Sequence, residues 1–207
     1  MQCVKILTII NQINMKAKIF ALLSIALISL TACSTMSDTE NTPTTGETTQ
    51  SAVIKTTMGD ITVKLFTDEA PETVKNFIEL SKAGKYDKTP FHRVIKDFMI
   101  QTGDFENKNG TGGYTYNGPG TVLPDELSPN LHHVKGTLSM ANRGPNTGAS
   151  QFFIVQNEEG TPWLDGMHAI FGEVTDGIDV VDAIANVETI GADQPKVEIL
   201  IEGIEIK

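Results

Sequence analysis

From Ser51 to Lys207 the chain predicts a mainly β domain, a closed antiparallel barrel of eight strands capped by two α-helices. Three observations carry that reading. Short apolar runs alternate with polar residues at period two, and roughly eight of them follow one another. Only two segments have the spacing of an amphipathic helix. Glycine, asparagine and proline clusters mark the junctions, and strands so numerous with helices so few favour a closed antiparallel sheet over a helix-covered parallel one.

Val53 to Thr56 and Ile61 to Phe66, flanking Met58-Gly-Asp60, read as a β-hairpin. Asp68 to Gly84 opens with acids and Pro71, carries Val74, Phe77, Ile78 and Leu80 along one side, and ends on glycine. These are the start and stop signals of a helix. Pro90 to Ile95 and Phe98 to Thr102 are strands with a bend at Lys96-Asp97, and the glycine-rich stretch Gly103 to Gly120 is a shaping loop. A phosphate-cradling loop needs a strand before it, a helix after it and a lysine, and no helix follows here. His132-His133 has no third ligand at useful spacing, so no metal site is expected. Strands follow at Gly136 to Asn142, Ser150 to Gln156 and His168 to Val174, with tight loops at Arg143 to Gly148 and Thr161 to Gly166, the latter presenting the only tryptophan. Gly177 to Val187 is the second helix. Lys196 to Ile206 is the last strand, with a slip of phase at Glu202-Gly203 that marks a bulge.

The segment Phe91 to Asp104 holds the most chemistry. Phe91, Arg93 and Ile95 share one face of a period-two run, and Met99 and Gln101 share one face of the next. A guanidinium and an amide among large apolar groups suit a pocket that grips an apolar moiety and hydrogen-bonds one polar atom on it. A barrel wall with a surface arginine fits the same residues.

The N-terminal part reads differently. Met15-Lys-Ala-Lys18 is basic, and Ile19 to Ala32 is an uncharged apolar run of fourteen residues. That is the length of a signal-peptide core and short of the ~20 residues that span a bilayer. Met15 is a second candidate start, in which case Cys3 is never made. The run ends Leu30-Thr-Ala-Cys33, which resembles the bacterial lipoprotein signal, in which Cys33 receives the lipid and residues 1–32 are removed. Residues 33–50 then form a polar, threonine-rich tether reaching roughly 20–25 Å as a flexible coil. A cell-envelope location, anchored to the membrane through Cys33, follows as the expectation. Lys5, Lys16 and Lys18 precede the cut and no acid does, so thirteen basic residues face twenty-six acidic ones in the mature part, a net charge of −13. Such a balance argues against nucleic acid as a partner.

Phe91-His-Arg93, Phe98-Met-Ile-Gln101, Gly110-Thr-Gly-Gly113, Ala141-Asn142, Gly144-Pro-Asn-Thr147, Ser150-Gln-Phe-Phe153 and Trp163-Leu-Asp-Gly-Met-His168 stand in this order. Together they resemble the signatures of the cyclophilins, peptidyl-prolyl cis-trans isomerases, over about Val53 to Ile206. The resemblance implies the same capped barrel with its groove on the outer wall. It makes Arg93 the catalytic residue with Gln101 holding it. Phe98, Met99, Phe153, Leu164 and His168 form the proline pocket, Ala141, Asn142, Gln151 and Trp163 line the peptide groove, and His92 supports. It implies no cofactor, a monomer, proline-containing polypeptides as substrates and cyclosporin as inhibitor. Lys96-Asp97 stands where many eukaryotic members have Pro-Gly, and the loop from Gly118 to Asn130 is of the compact bacterial type. A peptide-binding chaperone with little turnover would show the same pocket; Arg93 with Gln101 is what such a binder does not need.

Overall fold

The computed structural model describes residues 50–207; the expected signal segment, Cys33 and the expected tether up to residue 49 lie outside it. Eleven strands and two helices follow in order: β1 (Ser51–Thr56), β2 (Gly59–Leu65), α1 (Pro71–Lys82), β3 (Thr89–Pro90), β4 (Arg93–Ile95), β5 (Met99–Thr102), β6 (Thr137–Met140) and β7 (Phe152–Val155). After a single 3₁₀ turn at Pro162–Leu164 come β8 (Ile170–Asp176), α2 (Ile178–Ala185), β9 (Thr189–Ile190), β10 (Gln194–Pro195) and β11 (Leu200–Ile206). Nine strands form one antiparallel sheet in the order β3-β11-β1-β2-β8-β6-β7-β5-β4, and β9 with β10 makes a separate hairpin.

The fold is thus mostly β with two helices, as the alternation indicates, but the sheet has nine strands where eight are expected. The run Pro90 to Ile95 accounts for the difference. It divides at Phe91-His92, where the chain leaves the β11 edge of the sheet and joins β5 at the other edge. The last bond on the β11 side is made by Phe91, whose N–H donates to the carbonyl of Ile199 at 2.9 Å. Two linking residues join the two edge strands, so the sheet has to curl on itself, although no strand ladder closes the gap between them. The division also corrects the expected shared face: Phe91 points into the core at 1 % exposure, whereas Arg93 faces outward.

Alternation decides what lies inside. Ile54, Ile61, Val63, Ile100, Leu138, Phe152, Ile154 and Phe171 fill the interior together with Val74, Phe77 and Ile78 of α1 and Val181 and Ile184 of α2. Each such side chain contributes about 1.5–3 kcal/mol on burial. The expected bulge is present: Lys55 pairs with Gly203 and Thr56 with Ile201, leaving Glu202 as the extra residue. Helix α1 has no side-chain cap of its own at Ala70. The carboxylate of Glu126, from the long loop, instead accepts from the N–H groups of Glu72 (3.0 Å) and Thr73 (2.8 Å).

Candidate active site

The residues left on the outer face of the sheet make the site. Across β4, β5, β7 and β6, Arg93 pairs with Gln101, Gln101 with Phe153, and Phe153 with Ser139, one row of the ladder. Met99 lies two pairs along on the same face, opposite Ile95 and Val155. Period two makes this arrangement inevitable once Ile100, Thr102, Phe152 and Ile154 turn inward. Met99, Phe153 and Val155 form a second apolar cluster outside the barrel core, with Phe98, Ala141 and Leu164 packed against it.

Arg93, Phe98, Met99, Gln101, Ala141, Asn142, Phe153, Leu164 and His168 surround a single cavity of about 280 Å³. Nine of the residues expected at the site are therefore brought together. The floor is apolar and rigid: Met99 and Phe153 are 2 % and 5 % exposed. Phe153 meets His168 edge-on at 5.4 Å between ring centroids, and His133 stacks on it at 6.0 Å. His168 Nδ1 donates to the carbonyl of Met140 at 2.9 Å, which orients the ring and leaves Nε2 without that partner. Trp163 lies outside the cavity at its rim, 59 % exposed, its ring 6.1 Å from that of Phe98. Asn142 uses its side chain internally, donating to the carbonyl of Met167 at 2.9 Å. Among the described residues its backbone N–H and C=O have no protein partner.

A second cavity of about 140 Å³ adjoins the first and shares Gln101, Ala141 and Asn142 with it. Gln151 lines this one, with Gly110, Gly112, Arg143 and Thr147. The glycine-rich loop that forms its side is held from two directions. Asp104, fully buried, accepts backbone N–H groups from Asn107 (2.9 Å), Asn109 (3.2 Å), Gly110 (2.8 Å) and Gly112 (3.0 Å). Burial pushes this carboxyl up, but the four donors together outweigh it and hold it below 3.8. Gln151 Nε2 donates to the carbonyls of Gly110 (3.0 Å) and Gly112 (2.8 Å), and Arg143 Nη2 to that of Gly110 (3.1 Å).

His92 lies behind this loop, 8 % exposed, and lines neither cavity. Both of its ring nitrogens are buried without a hydrogen-bond partner among the described residues. Burial, helped by the charge of Arg93, holds it below the ordinary imidazole value against the pull of Asp104. The Pro90 carbonyl and Gln151 lie near enough to favour its charged form, without hydrogen-bond geometry. Its body packs under Gly110, where φ is +90° and an added Cβ would come within 3.0 Å of the imidazole. His132 and His133 converge instead on Asp165, each through Nδ1 at 2.8 Å, and His133 Nε2 reaches Ser139 Oγ at 2.9 Å.

One expected contact is replaced. Gln101 sits directly across from Arg93, yet its amide donates to Gln151 Oε1 at 3.0 Å. The guanidinium instead meets Asp193, with Nε 3.6 Å from Oδ2. Nothing in the sequence pattern points to Asp193, a hundred positions away. Asp104 did carry a signal: an acid immediately before a glycine-rich loop is a natural acceptor for that loop's N–H groups.

A curled antiparallel sheet thus carries an apolar pocket on its outer wall, with one cationic side chain at the rim and the Asn142 backbone beside it. Residues 51–206 match the family described as cyclophilin type peptidyl-prolyl cis-trans isomerase/CLD, and the chain belongs to that family. A peptidyl-prolyl cis-trans isomerase-like 1 of Neurospora crassa is 49 % identical over 149 residues, covering 72 % of this chain and 88 % of that one. A Streptococcus pyogenes chain named as a bifunctional phosphatase/peptidyl-prolyl cis-trans isomerase is 44 % identical over 180 residues, 74 % of this chain; the present chain spans 38 % of its length. A crystal structure of a cyclophilin type peptidyl-prolyl cis-trans isomerase from Cryptosporidium parvum, determined in the presence of the dipeptide Ala-Pro, superposes with a TM-score of 0.71 at 38 % identity. It covers 76 % of this chain and 98 % of that one.

Proposed function

We propose that this chain accelerates cis-trans isomerisation of X–Pro bonds in exported polypeptides, as a monomer held at the cell envelope by a lipid on Cys33, and that cyclosporin inhibits it. The observation that carries the catalytic part is the placement of Arg93 at the rim of a cavity floored by Met99, Phe153 and Phe98. The segment Leu30-Thr-Ala-Cys33 behind a basic and apolar pair supports the envelope part.

The chemistry asks for little more than this. Isomerisation breaks no covalent bond; it has to overcome the ~18–20 kcal/mol of amide resonance. In the twisted state the prolyl nitrogen becomes pyramidal and recovers its lone pair. A cationic, rigidly forked donor that reaches the amide only in that state lowers the barrier, because it binds the transition state better than either planar ground state. The apolar floor fixes the ring and sheds water, while the free backbone of Asn142 holds the peptide in extended form so that the preceding residue rotates against the ring.

A holding chaperone with little turnover is the second reading, since the same pocket and open backbone would serve it. The deciding experiment is an exchange assay, by NMR or by coupling to a conformer-selective protease, on a set of X–Pro peptides. Acceleration over the spontaneous rate is the expected result. Binding of the peptides without acceleration would overturn the isomerase reading and leave the chaperone one.

A further inference from the structure

The guanidinium of Arg93 needs a defined orientation if its terminal nitrogens are to reach a twisted amide, yet the residue facing it in the ladder, Gln101, is occupied with Gln151. The one ion-pair partner of Arg93 among the described residues is Asp193. This acid lies at the tip of the hairpin formed by β9 and β10. Its backbone is in the left-handed region, φ 65°, a conformation that aspartate tolerates better than most side chains. Its carbonyl accepts the N–H of Val94, the residue next to Arg93, at 2.8 Å. A main-chain bond one residue away therefore brings the backbone of Asp193 alongside the arginine.

We propose that Asp193 is a positioning residue for the isomerisation: its carboxylate holds Arg93 at Nε, so that the two terminal nitrogens of the planar fork are presented to the pocket. Held at that edge, the guanidinium loses rotation about its last side-chain bonds before substrate arrives, and less is left to be frozen in the transition state. The pair is half exposed, with side-chain exposures of 44 % and 46 %, so it adds little to stability. Its effect belongs to turnover. The inference rests on the proposed role of Arg93 in isomerisation.

The test is a double-mutant cycle on the full chain with a short Ala–Pro peptide. Asp193→Asn keeps the size of the side chain and its tolerance of positive φ, so the turn survives; unchanged circular dichroism and melting confirm it. The expected result is a fall in kcat of about two- to fivefold with KM unchanged, the rate equivalent of an exposed ion pair. The effect disappears in an Arg93→Ala background and is partly restored by Asp193→Glu. The NMR chemical shift of the Arg93 Nε–H signal should move in the Asn variant. If Arg93→Ala lowers turnover strongly while Asp193→Asn changes neither kcat nor the Nε–H signal, this inference fails and the isomerase reading stands. If Arg93→Ala itself retains turnover, it is the role of Arg93 that fails. An equal loss from Asp193→Asn in both backgrounds would make the acid a structural residue of the hairpin.

Discussion

Gln101 donates its amide to Gln151 at 3.0 Å, and through that bond the outer wall of the sheet is joined to the glycine-rich loop. Gln151 is 8 % exposed and spends both amide hydrogens on loop carbonyls. Gln151→Leu keeps the volume and removes all three bonds. Leaving buried polar groups without partners should lower stability by about 1–3 kcal/mol in chemical denaturation. The amide resonances of Gly110 to Gly113 should move with it; resonances that stay in place would mean that Asp104 alone fixes the loop.

Arg93→Ala should abolish most turnover while sparing the fold and much of the peptide affinity. Loss of one preorganised donor from such a site costs ~2.7–4 kcal/mol, or ~10²–10³ in rate. Isomerisation of an Ala–Pro peptide, with circular dichroism as the control for folding, makes the comparison. A fall of less than about tenfold, under ~1.4 kcal/mol, favours the holding-chaperone account.

Trp163 stands at the rim, 59 % exposed, with its ring tilted against Phe98, and an exposed indole carries one N–H donor for a large ligand. Cyclosporin should inhibit the protein, and Trp163→Phe should weaken that inhibition far more than it slows turnover. Equal losses of both would show that the indole holds the groove together.

Acid should destabilise the domain in two stages. His92 and His133 are both held below 6.5, burial being the main cause in each, so the unfolded chain takes up protons first as pH falls through that value. Asp104 and Asp165 lie below 3.8. Burial pushes Asp165 up, but the His133 N–H and the two imidazoles outweigh it and bring it to about 2. The carboxylate contribution is therefore whole above 3.8 and is lost as pH drops toward 2. Urea midpoints at about pH 7.5, 5 and 3 should descend in that order. A midpoint at pH 5 equal to or above that at pH 7.5 would contradict the histidine stage.

Cys33→Ser should leave the precursor uncut or release a soluble protein, as read by membrane fractionation and by incorporation of a labelled fatty acid. Quantitative recovery of the mature wild type in the soluble fraction, free of lipid, would refute anchoring through Cys33.

Much of the fold was readable because alternation is a local property. Ile61, Val63 and Leu65 announce the inner face of β2 without knowledge of any partner, and the phase slip at Glu202-Gly203 locates the bulge. The division of Pro90 to Ile95 was not readable, since a single period-two run carries no information on which edge of the sheet each half joins. The family motifs point to the pocket residues, and the structure brings nine of them around one cavity. What escaped were contacts made across long loops. Asp193 on Arg93 and Glu126 on the start of α1 join segments one hundred and 54 positions apart, and neither acid differs locally from the many solvent-exposed ones in an acidic chain.

The first strand of the sheet and the last lie side by side, with Ala52 opposite Ile206 and the N–H of Lys207 bonded to the carbonyl of Ser51. The hairpin of β1 and β2 therefore has two edges to cover, and both are covered from more than a hundred positions along the chain, that of β2 by β8 and that of β1 by β11. An exposed edge of that kind pairs readily with other chains. The domain cannot complete its sheet piecemeal, and a chain stopped before Leu200 would leave both β1 and β3 without their neighbour.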